Sequence, residues 1–466
     1  MTFGTERRGG PAPSDVGGRS VRLRRLGEAV VIVALAIVIY SVVRGGVNDY
    51  TITDPLGTLL ASQNLLENGT YFVDAYRDHL LENREMYSYR FFKRDDHVLP
   101  YYPPGAVLLS TPFVWIANLQ GYDMATIVDG RAVHDMRLQR DLAAGAVAVC
   151  FVLVYLICRC YFGPAPSLAL SIPLVMGGPI ASMLGVALWS TGFETVFILL
   201  SLLLIIADRR GVVRLNPYLL GVFLSLSFYC RPTSVTFILL ASLIVLMRNR
   251  ADFLKLVGVG LLFAAAFYAF SQHYYGQPVP RYYRPGGKVA VAHRLSSGLY
   301  GVMLSPSRGV LVFSPYLLLT VVGLVAFARR LLRDPLVWLC LAWFASHAVT
   351  VASSAGWWGG HTFGPRLMAD AFPALVVLTI LVWNAAASRL RPTGRWAAIG
   401  AFALLSAAAI WINVNQGLYN LDTAWWNAKS NVDHNREALM DWRYPQFLAN
   451  PAMLEQLEAE YGQRGN

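Results

Sequence analysis

The stretch "EAVVIVALAIVIYSVVRGGVNDYTITDPLG" (residues 28–57) decides the fold class of this 466-residue chain. Its first part is an apolar run long enough to cross a bilayer as a helix, which takes about 20 residues. Its second part carries two acids, Asp49 and Asp54, where the chain leaves the membrane. The run has no small-residue cleavage site before the loop. We therefore interpret it as a retained first span and not as a signal peptide.

Apolar runs of this kind recur along the whole chain. Hydrophobic residues make up 55% of the sequence and charged residues 14%, with a mean hydropathy of +0.45, whereas soluble proteins have about 25% charged residues. Only helices satisfy their own backbone over such lengths in a bilayer, and the runs are too long for barrel strands. The sequence predicts an all-α integral membrane bundle of about eleven transmembrane helices, with spans at 27–44, 142–161, 166–187, 192–207, 215–230, 232–247, 256–272, 309–328, 335–353, 366–386 and 396–415.

The distribution of basic residues predicts the orientation. The short loops on one side are all basic, namely "RCYFGP", "DRRGVVR", "RNRADFLK", "ARRLLRD" and "SRLRPTGR". Cytoplasmic loops of membrane proteins carry such an excess of Lys and Arg, so we expect a multi-pass cell (inner) membrane protein with a cytoplasmic N-terminus. The net charge of +11 then reports orientation, and we predict no nucleic-acid partner.

The chain divides into a disordered basic cytoplasmic tail (1–26), a transmembrane domain (27–415) and an extracytoplasmic C-terminal segment (416–466). The first outer loop, 45–141, contains a helical pattern at 54–68. It also contains the apolar piece "PPGAVLLSTPFVWIANLQG", which is short for a span. Such a piece suits a juxtamembrane helix lying in the membrane interface.

The unusual polar and aromatic residues collect on the outer side: Asp49, Asp54, Tyr101, Tyr102, Trp189, Arg231, Arg308, Trp358, His361 and Arg366. The span interiors hold almost no acid or base, and the nearest, Glu194 and Asp370, lie close to an outer end. A transporter needs polar groups near the midplane. This polarity favours a reaction or a binding event at the outer face.

The three arginines each begin or abut a span at its outer end. Guanidinium groups suit phosphate, and phosphate at this interface means a lipid headgroup or a lipid-linked phosphosugar. The aromatic side chains would suit sugar faces and a prenyl chain. The alternative is that the arginines and aromatics only anchor the protein in the membrane. The five cysteines lie in or at the ends of apolar runs without metal-ligand spacing, and we predict no metal and no cofactor.

Four pieces of sequence carry a resemblance to a known family: "DPLGTLLASQNLLENGTYFVDAY", "YYPPGAVLLSTPFVW", "SPSRGVLVFSPYLLL" and "WWGGHTFGPRLMADAFPAL". In order and shared side they resemble the GT-C superfamily of integral-membrane glycosyltransferases (protein-mannosyltransferase/aminoarabinose-transferase-like), closest to a poorly characterised bacterial branch. Asp54 stands where that family has a catalytic Asp. Gly69 follows at the family's spacing and Ala61 one residue short of it. Pro55 replaces the Glu that many members have, and "LWSTG" keeps Trp189 without a nearby His.

The resemblance implies sugar transfer from a polyprenyl-phosphate-linked donor to a glycan, lipid or protein acceptor on the extracytoplasmic face, in cell-envelope glycan or glycolipid assembly. The residue roles that it implies or leaves open are catalysis for Asp54 or, as second choice, Asp49; donor phosphate binding for Arg231, Arg308 and Arg366; and substrate binding for Tyr101, Tyr102, Trp189, Trp358 and His361.

Other interpretations stay open. Asp54 before Pro55 is also a good N-cap followed by proline at the first helical position. Asp370, four residues after Arg366, could be its ion-pair partner, and His361 could be a hydrogen-bonding loop residue. For the whole protein, the alternatives are a transporter or flippase of a lipid-linked glycan and a non-catalytic envelope scaffold. The dearth of midplane charge disfavours the first, and the outer cluster disfavours the second.

Overall fold

The computed structural model describes residues 16–82, 89–129, 133–284 and 295–462. Within them the chain is mainly helical with almost no sheet, which confirms the predicted all-α membrane fold. Residues 1–15 of the predicted tail lie outside the described residues, and the first helix begins at Val16 and not at 27. Six helices in the described residues are long and apolar enough to cross a membrane: Arg24–Arg44, Val133–Arg159, Ser190–Arg209, Arg250–Tyr275, Pro335–Ala352 and Pro392–Tyr419.

The other five predicted spans are shorter or interrupted helices. Three are the single helices Pro217–Cys230, Val235–Arg248 and Phe372–Ala387. The predicted span 166–187 is split into Pro164–Met176 and Pro179–Ser182, and the predicted span 309–328 into Val310–Phe313 and Leu317–Ala326. Pro179 and Pro315 lie at these breaks. Proline lacks the N–H that would continue a helix.

Several of the long apolar helices pack against one another. The helix Val16–Arg44 packs against Val133–Arg159, which in turn packs against Ser190–Arg209. Pro217–Cys230 contacts both Ser190–Arg209 and Arg250–Tyr275. Their buried apolar side chains form the main core. The helix Arg250–Tyr275 leaves much of its apolar surface exposed, as expected of a surface that faces lipid.

The first long loop forms a compact unit on one end of the bundle. It contains the helices Thr58–Asn68, Arg77–Glu82 and Pro104–Leu119, and an antiparallel hairpin of Phe91–Arg94 with His97–Pro100. The sequence did not predict this hairpin. The predicted interface helix is present, and it exposes apolar side chains that include Trp115 and Leu119.

The C-terminal segment is folded against the loop that precedes Phe372. Its helices are Gly417–Tyr419, Asp422–Lys429 and Pro451–Leu457. Side chains of this segment and of the loop form a second core, with Trp426, Leu439, Trp357 and Met368 among its members. The remaining helices and helical turns are Asp74–Tyr76, Met124–Asp129, Pro232–Ser234, Arg281–Tyr283, Leu295–Leu304, Ala328–Leu331, Arg366–Met368, Trp411–Gln416, Arg436–Met440, Gln446–Leu448 and Glu458–Gly462.

Candidate active site

Asp54 lies in a turn between the first span and the helix Thr58–Asn68. The N-cap of that helix is Gly57, at φ 89°, without a side-chain cap hydrogen bond. The helix therefore begins later than the predicted 54–68, and the interpretation of Asp54 as its N-cap is wrong. A Cβ atom at Gly57 would approach the Phe91 ring to 2.5 Å. Glycine is thus required here both by its backbone angle and by the close approach of the hairpin.

The carboxylate of Asp54 faces a cation and a hydroxyl group. Arg366 Nη2 donates to Asp54 Oδ2, and Arg366 Nη1 donates to the Gly359 carbonyl at 3.1 Å. The Arg366 guanidinium carbon lies 3.9 Å from the centre of the Trp189 ring, a cation–π contact. The Tyr102 hydroxyl also bonds to the Asp54 carboxylate. The Asp54 side chain keeps 25% of its surface exposed, so a small substrate group can still reach it.

These neighbours decide the charge of Asp54. Burial alone would raise the pKa of the Asp54 carboxyl, but the Arg366 charge and the hydrogen bonds from Arg366 and Tyr102 hold it below its usual range. Asp54 is therefore ionised at neutral pH. Burial and the adjacent Asp54 charge raise the pKa of Tyr102. Tyr102 consequently stays a neutral hydrogen-bond donor to the carboxylate.

A small cavity surrounds Asp54. It brings together side chains from the first loop, from the start of the helix Ser190–Arg209 and from the two later segments that carry Arg231 and Arg366. Its polar and aromatic lining residues are Asp54, Thr58, Arg90, Phe91, Tyr102, Trp189, Ser190, Arg231 and Arg366. Five predicted site residues, Asp54, Tyr102, Trp189, Arg231 and Arg366, thus share one cavity. Tyr101 lies beside it, with its ring centre 5.5 Å from that of Tyr102.

Arg231 reaches this cavity but is already paired. Its Nη2 and Nε atoms lie 2.9 and 3.1 Å from Asp370 Oδ2, and its Nη1 donates to the Tyr282 hydroxyl at 3.2 Å. Asp370 is thus the partner of Arg231, and the prediction that it pairs with Arg366 is wrong. Arg366–Met368 forms a 3₁₀ turn and the α-helix starts only at Phe372. Arg366 and Asp370 therefore do not share one α-helical face.

Asp49, the second catalytic candidate, makes a local turn contact. Its Oδ1 accepts a hydrogen bond from the Thr51 N–H at 2.8 Å. Asp49 is not among the described residues that line the cavity. Of the two predicted carboxylates, Asp54 lines the cavity and Asp49 does not.

Arg308 lies elsewhere, fully buried and bound to neutral acceptors. It donates to the carbonyls of Ser307, Trp358 and Gly360 at 2.7, 2.9 and 3.2 Å, and to the side-chain oxygens of Gln446 and Asn427 at 2.5 and 2.7 Å. Burial lowers the pKa of Arg308 to about 10. All of its donor directions are used to hold chain segments together. This geometry does not support the predicted role in phosphate binding.

Trp358 and His361 form a separate cluster around Asp433. Trp358 Nε1 donates to Asp433 Oδ1 at 3.2 Å, and His361 Nε2 lies 3.2 Å from Asp433 Oδ2. Neither side chain is among the described residues that line the cavity. The interpretation of His361 as a hydrogen-bonding loop residue fits this arrangement better than a catalytic role. In the part of the chain that the structure describes, no group of three or more His, Cys, Asp or Glu side chains could hold a metal ion.

Two further residues belong to the site and were not among the predicted site residues. Arg90 donates to the carbonyls of Ile52 and Thr53, at 2.5 and 2.8 Å, and so fixes the backbone just before Asp54. No sequence signal marks Arg90, because it reaches the loop only when the hairpin folds back. Tyr282 packs on Tyr101 and Tyr102 with ring centres 5.8 and 5.7 Å away. The sequence shows the tyrosine-rich stretch that contains Tyr282, but it does not predict the contact between Tyr282 and Arg231.

An apolar groove of about 460 Å³ lies among three of the apolar helices. The helices Pro217–Cys230, Val235–Arg248 and Arg250–Tyr275 form its walls, with Leu224, Phe228, Ile238, Phe263 and Phe267 among the lining side chains. Tyr283 donates to the Tyr229 carbonyl at 2.7 Å. Phe228 and Tyr229 line the groove and Arg231 lines the Asp54 cavity, so the end of the helix Pro217–Cys230 and the residue after it reach both.

The fold resembles that of several solved membrane proteins. The crystal structure of ArnT from Cupriavidus metallidurans, bound to undecaprenyl phosphate, matches with a TM-score of 0.51 and 12% identity, over 94% of this chain and 78% of that one. Two structures of the Archaeoglobus fulgidus oligosaccharyltransferase match at TM-scores of 0.41 and 0.39, with 13% and 14% identity, over 91% and 95% of this chain but only 59% and 60% of theirs. No protein-family model and no curated protein matches the sequence.

The resemblance to ArnT establishes the fold. The chain has a fold similar to that of ArnT, which confirms the fold that the sequence motifs implied. At this level of identity the match speaks for the architecture, and the chemistry has to be argued from the chain's own residues.

Proposed function

We propose that this protein transfers a sugar from a polyprenyl-phosphate-linked donor to an acceptor at the extracytoplasmic face of the cell membrane. The observation that carries the proposal is the cavity in which Asp54 meets Arg366, with Arg90 and Arg231 in the same wall. The GT-C fold supports it, since the similar ArnT structure is bound to undecaprenyl phosphate. Lipid-linked glycosyl transfer in cell-envelope assembly is the biological setting that this chemistry suits.

The proposed donor has an apolar part, the prenyl chain, and a charged part, the phosphate, and each suits a different cavity. The prenyl chain lies in the apolar groove beside Phe263 and Phe267, and the phosphate lies in the arginine-lined cavity. Arg366 is the cation best placed for the phosphate, because it keeps 19% of its side chain exposed and its carboxylate partner is exposed too. Arg231 adds positive charge to the cavity wall, and its ion pair with Asp370 holds the Arg231 side chain in place. Charge-assisted bonds from arginine are the strong contacts that phosphate recognition uses.

Asp54 acts as the general base. It takes the proton of the acceptor hydroxyl while that oxygen attacks the anomeric carbon, and the bond from that carbon to the phosphate oxygen breaks. The polyprenyl phosphate leaves with the bonding electrons, and Arg366 and Arg231 stabilise its charge. A single carboxylate and direct displacement invert the anomeric centre. When the phosphate draws Arg366 away from Asp54, the pKa of Asp54 rises and the carboxylate becomes a better base.

The sugar and the acceptor contact the aromatic part of the site. Tyr101, Tyr102 and Trp189 present ring faces and edges at the cavity, as expected for sugar binding. Trp358 and His361 contact Asp433 and do not line the cavity, so we assign no role in transfer to them, to Arg308 or to Asp49. The orientation with a cytoplasmic N-terminus and an outer site remains part of the proposal.

The test compares sugar transfer by wild type, Asp54→Asn and Asp49→Asn. Membranes that contain each variant receive radiolabelled polyprenyl-phospho-sugars, and the label transferred to acceptor is measured. Asp54→Asn should lose at least about 100-fold in rate, as expected when a general base is removed, and Asp49→Asn should keep most of it. Equal transfer by Asp54→Asn and wild type would exclude Asp54 as the base. Movement of an intact lipid-linked glycan across the membrane without transfer would support the flippase alternative.

A further inference from the structure

The Asp54–Arg366 pair joins two irregular segments that are 312 residues apart in sequence. Asp54 lies in the turn that follows the first span, and Arg366 lies in a loop with glycines at positive φ, Gly359, Gly360 and Gly364. Neither segment is an α-helix or a strand at this point. The geometry of the pair must therefore be fixed by other parts of the chain. Buried side chains of the C-terminal segment contact both segments.

The first set of contacts holds the loop that leads to Asp54. Asn48 is 1% exposed, and its Nδ2 donates to the carbonyls of Gly417 and Asn420, at 2.9 and 3.0 Å, and to Thr423 Oγ1 at 3.2 Å. The backbone N–H groups of Val47 and Asn48 both donate to the Leu418 carbonyl, at 2.7 and 3.0 Å. The start of the Asp54 loop is thus bound to residues 417–423.

The second set holds the loop that leads to Arg366. Gln446 is fully buried. Its Oε1 accepts from the Gly364 N–H at 3.1 Å and from Arg308 Nη1 at 2.5 Å. Its Nε2 donates to the carbonyls of Thr362 and Thr423, both at 2.9 Å. One amide therefore ties the turn just before Arg366 to the C-terminal segment.

The two sets meet at one residue. Thr423 Oγ1 accepts from Asn48, and the Thr423 carbonyl accepts from Gln446. A continuous hydrogen-bonded path therefore runs from Asn48 through Thr423 and Gln446 to Gly364. Every member of this path is buried. Since a buried polar group left without its partner is costly, the path resists loosening at any one step.

We propose that residues 417–448, named here the brace, set the distance and orientation between Asp54 and Arg366, with Asn48 and Gln446 as positioning residues. The brace acts through the two loops and touches neither reacting group. Its kinetic consequence rests on the proposed function, whereas its effect on the two loops does not. If Gln446 loses its hydrogen bonds, Arg366 is released from Asp54, and the pKa of Asp54 returns upward to its ordinary value.

The variants separate this role from general stability. Gln446→Met keeps the length of the side chain and removes every side-chain hydrogen bond of Gln446, and Asn48→Leu removes the three side-chain hydrogen bonds of Asn48. Asn450→Ala is the matched control, because Asn450 caps the helix Pro451–Leu457 in the same region, through the Met453 N–H at 3.1 Å, and is not part of the path. Gln446→Glu keeps the acceptor for Gly364 and Arg308 but loses both Nε2 donors. It is the milder variant should Gln446→Met fail to fold.

Hydrogen–deuterium exchange on the full-length protein without substrate is the deciding measurement. Gln446→Met and Asn48→Leu should speed exchange about tenfold or more in both 50–57 and 359–366. Asn450→Ala should speed exchange only in 451–457. If a folded Gln446→Met or Gln446→Glu protein exchanged at the wild-type rate in both loops, the proposed positioning role of the brace would be wrong.

The pH profile of sugar transfer gives the second readout. Gln446→Met should move the acidic limb of the profile to higher pH, and Asn450→Ala should leave it in place. An unmoved limb in Gln446→Met would show that Gln446 does not position the pair. If wild type transfers none of the donors, the proposed function fails, and the exchange experiment still decides for or against the brace.

Discussion

At the scale of single residues, the proposed mechanism depends on the ion pair of Asp54 with Arg366 in a partly closed cavity. Asp54 is ionised because Arg366 and Tyr102 offset the effect of its burial. A carboxylate paired in this way is a weak base at rest and becomes stronger when its cation is drawn to another anion. In the proposed mechanism, the same pair binds the donor phosphate and responds to its arrival.

The pH dependence of transfer tests this pair. In the proposed mechanism, transfer requires ionised Asp54. The kcat/KM for transfer reports the free enzyme, so it should fall as pH falls through the Asp54 pKa, which Arg366 holds below the usual value of about 3.9. Arg366→Gln removes the charge that lowers this pKa, and the acidic limb should therefore move to higher pH. Arg366→Lys keeps the charge and should leave the limb closer to that of wild type. An acidic limb that is the same in all three proteins would contradict the pairing.

The sequence identified part of this residue set, for a physical reason. Topology placed Asp54, Tyr102, Trp189, Arg231 and Arg366 at one end of the bundle, and the structure brings them to one cavity. Arg308 was predicted on the same grounds, yet its five hydrogen bonds belong to buried neutral groups. Whether an arginine faces a cavity or a network of carbonyls depends on tertiary packing. Local sequence does not contain that information.

At the scale of elements, the site is shaped by a turn, a hairpin and a groove. The hairpin Phe91–Arg94 with His97–Pro100 carries Arg90 at its start and presses Phe91 against Gly57. The sequence predicted the helices well, since apolar runs are a strong signal over many residues. It missed the hairpin, because four-residue strands without strict alternation give almost no periodicity.

Substitution at Gly57 tests the contact between turn and hairpin. Gly57→Ala should lower both the melting temperature and the transfer rate, because it combines strain at φ 89° with a Cβ that would approach Phe91 to 2.5 Å. Gly69→Ala is the matched control, with φ 63° but nothing within 4 Å of its Cβ. It should cost only the backbone strain of about 1–2 kcal/mol. Equal losses in thermal unfolding of the purified proteins would show that the hairpin contact contributes nothing.

Filling the groove tests where the prenyl chain lies. Gly260 lines the groove and has open space at its Cβ position, so Gly260→Phe should occupy the space of the prenyl chain. We expect the KM for long-chain donors to rise about tenfold or more, with little change for short-chain analogues. Gly258→Phe, on the same helix but outside the groove lining, should leave both unchanged. A KM for long-chain donors that is unaffected by Gly260→Phe would place the chain elsewhere.

At the scale of the whole molecule, a bundle of membrane helices holds loops from distant parts of the chain at one end. Two of these loops supply Asp54 and Arg366, and the C-terminal segment packs against both. The fold could be predicted from composition and apolar periodicity, because the bilayer allows few alternatives. The packing of the C-terminal segment could not, since its contacts depend on side chains far apart in the sequence.

Cysteine labelling tests the orientation of the molecule. The native cysteines are buried or partly buried, so they give a low background for a membrane-impermeant maleimide. Glu437→Cys, exposed on the C-terminal segment, should react in intact spheroplasts. Val212→Cys, exposed in a basic turn, should react only after permeabilisation. The opposite pattern would reverse the topology and place the Asp54 cavity in the cytoplasm.

A cryo-EM structure with undecaprenyl phosphate would show directly whether the donor phosphate binds at Arg366 beside Asp54. We predict a phosphate within hydrogen-bonding distance of Arg366, in the cavity that Asp54 lines. We predict the prenyl chain in the groove beside Gly260. Arg366 should then have exchanged part of its contact with Asp54 for the phosphate. A phosphate bound at Arg308 or against Asp433, with Arg366 still fully paired to Asp54, would contradict it.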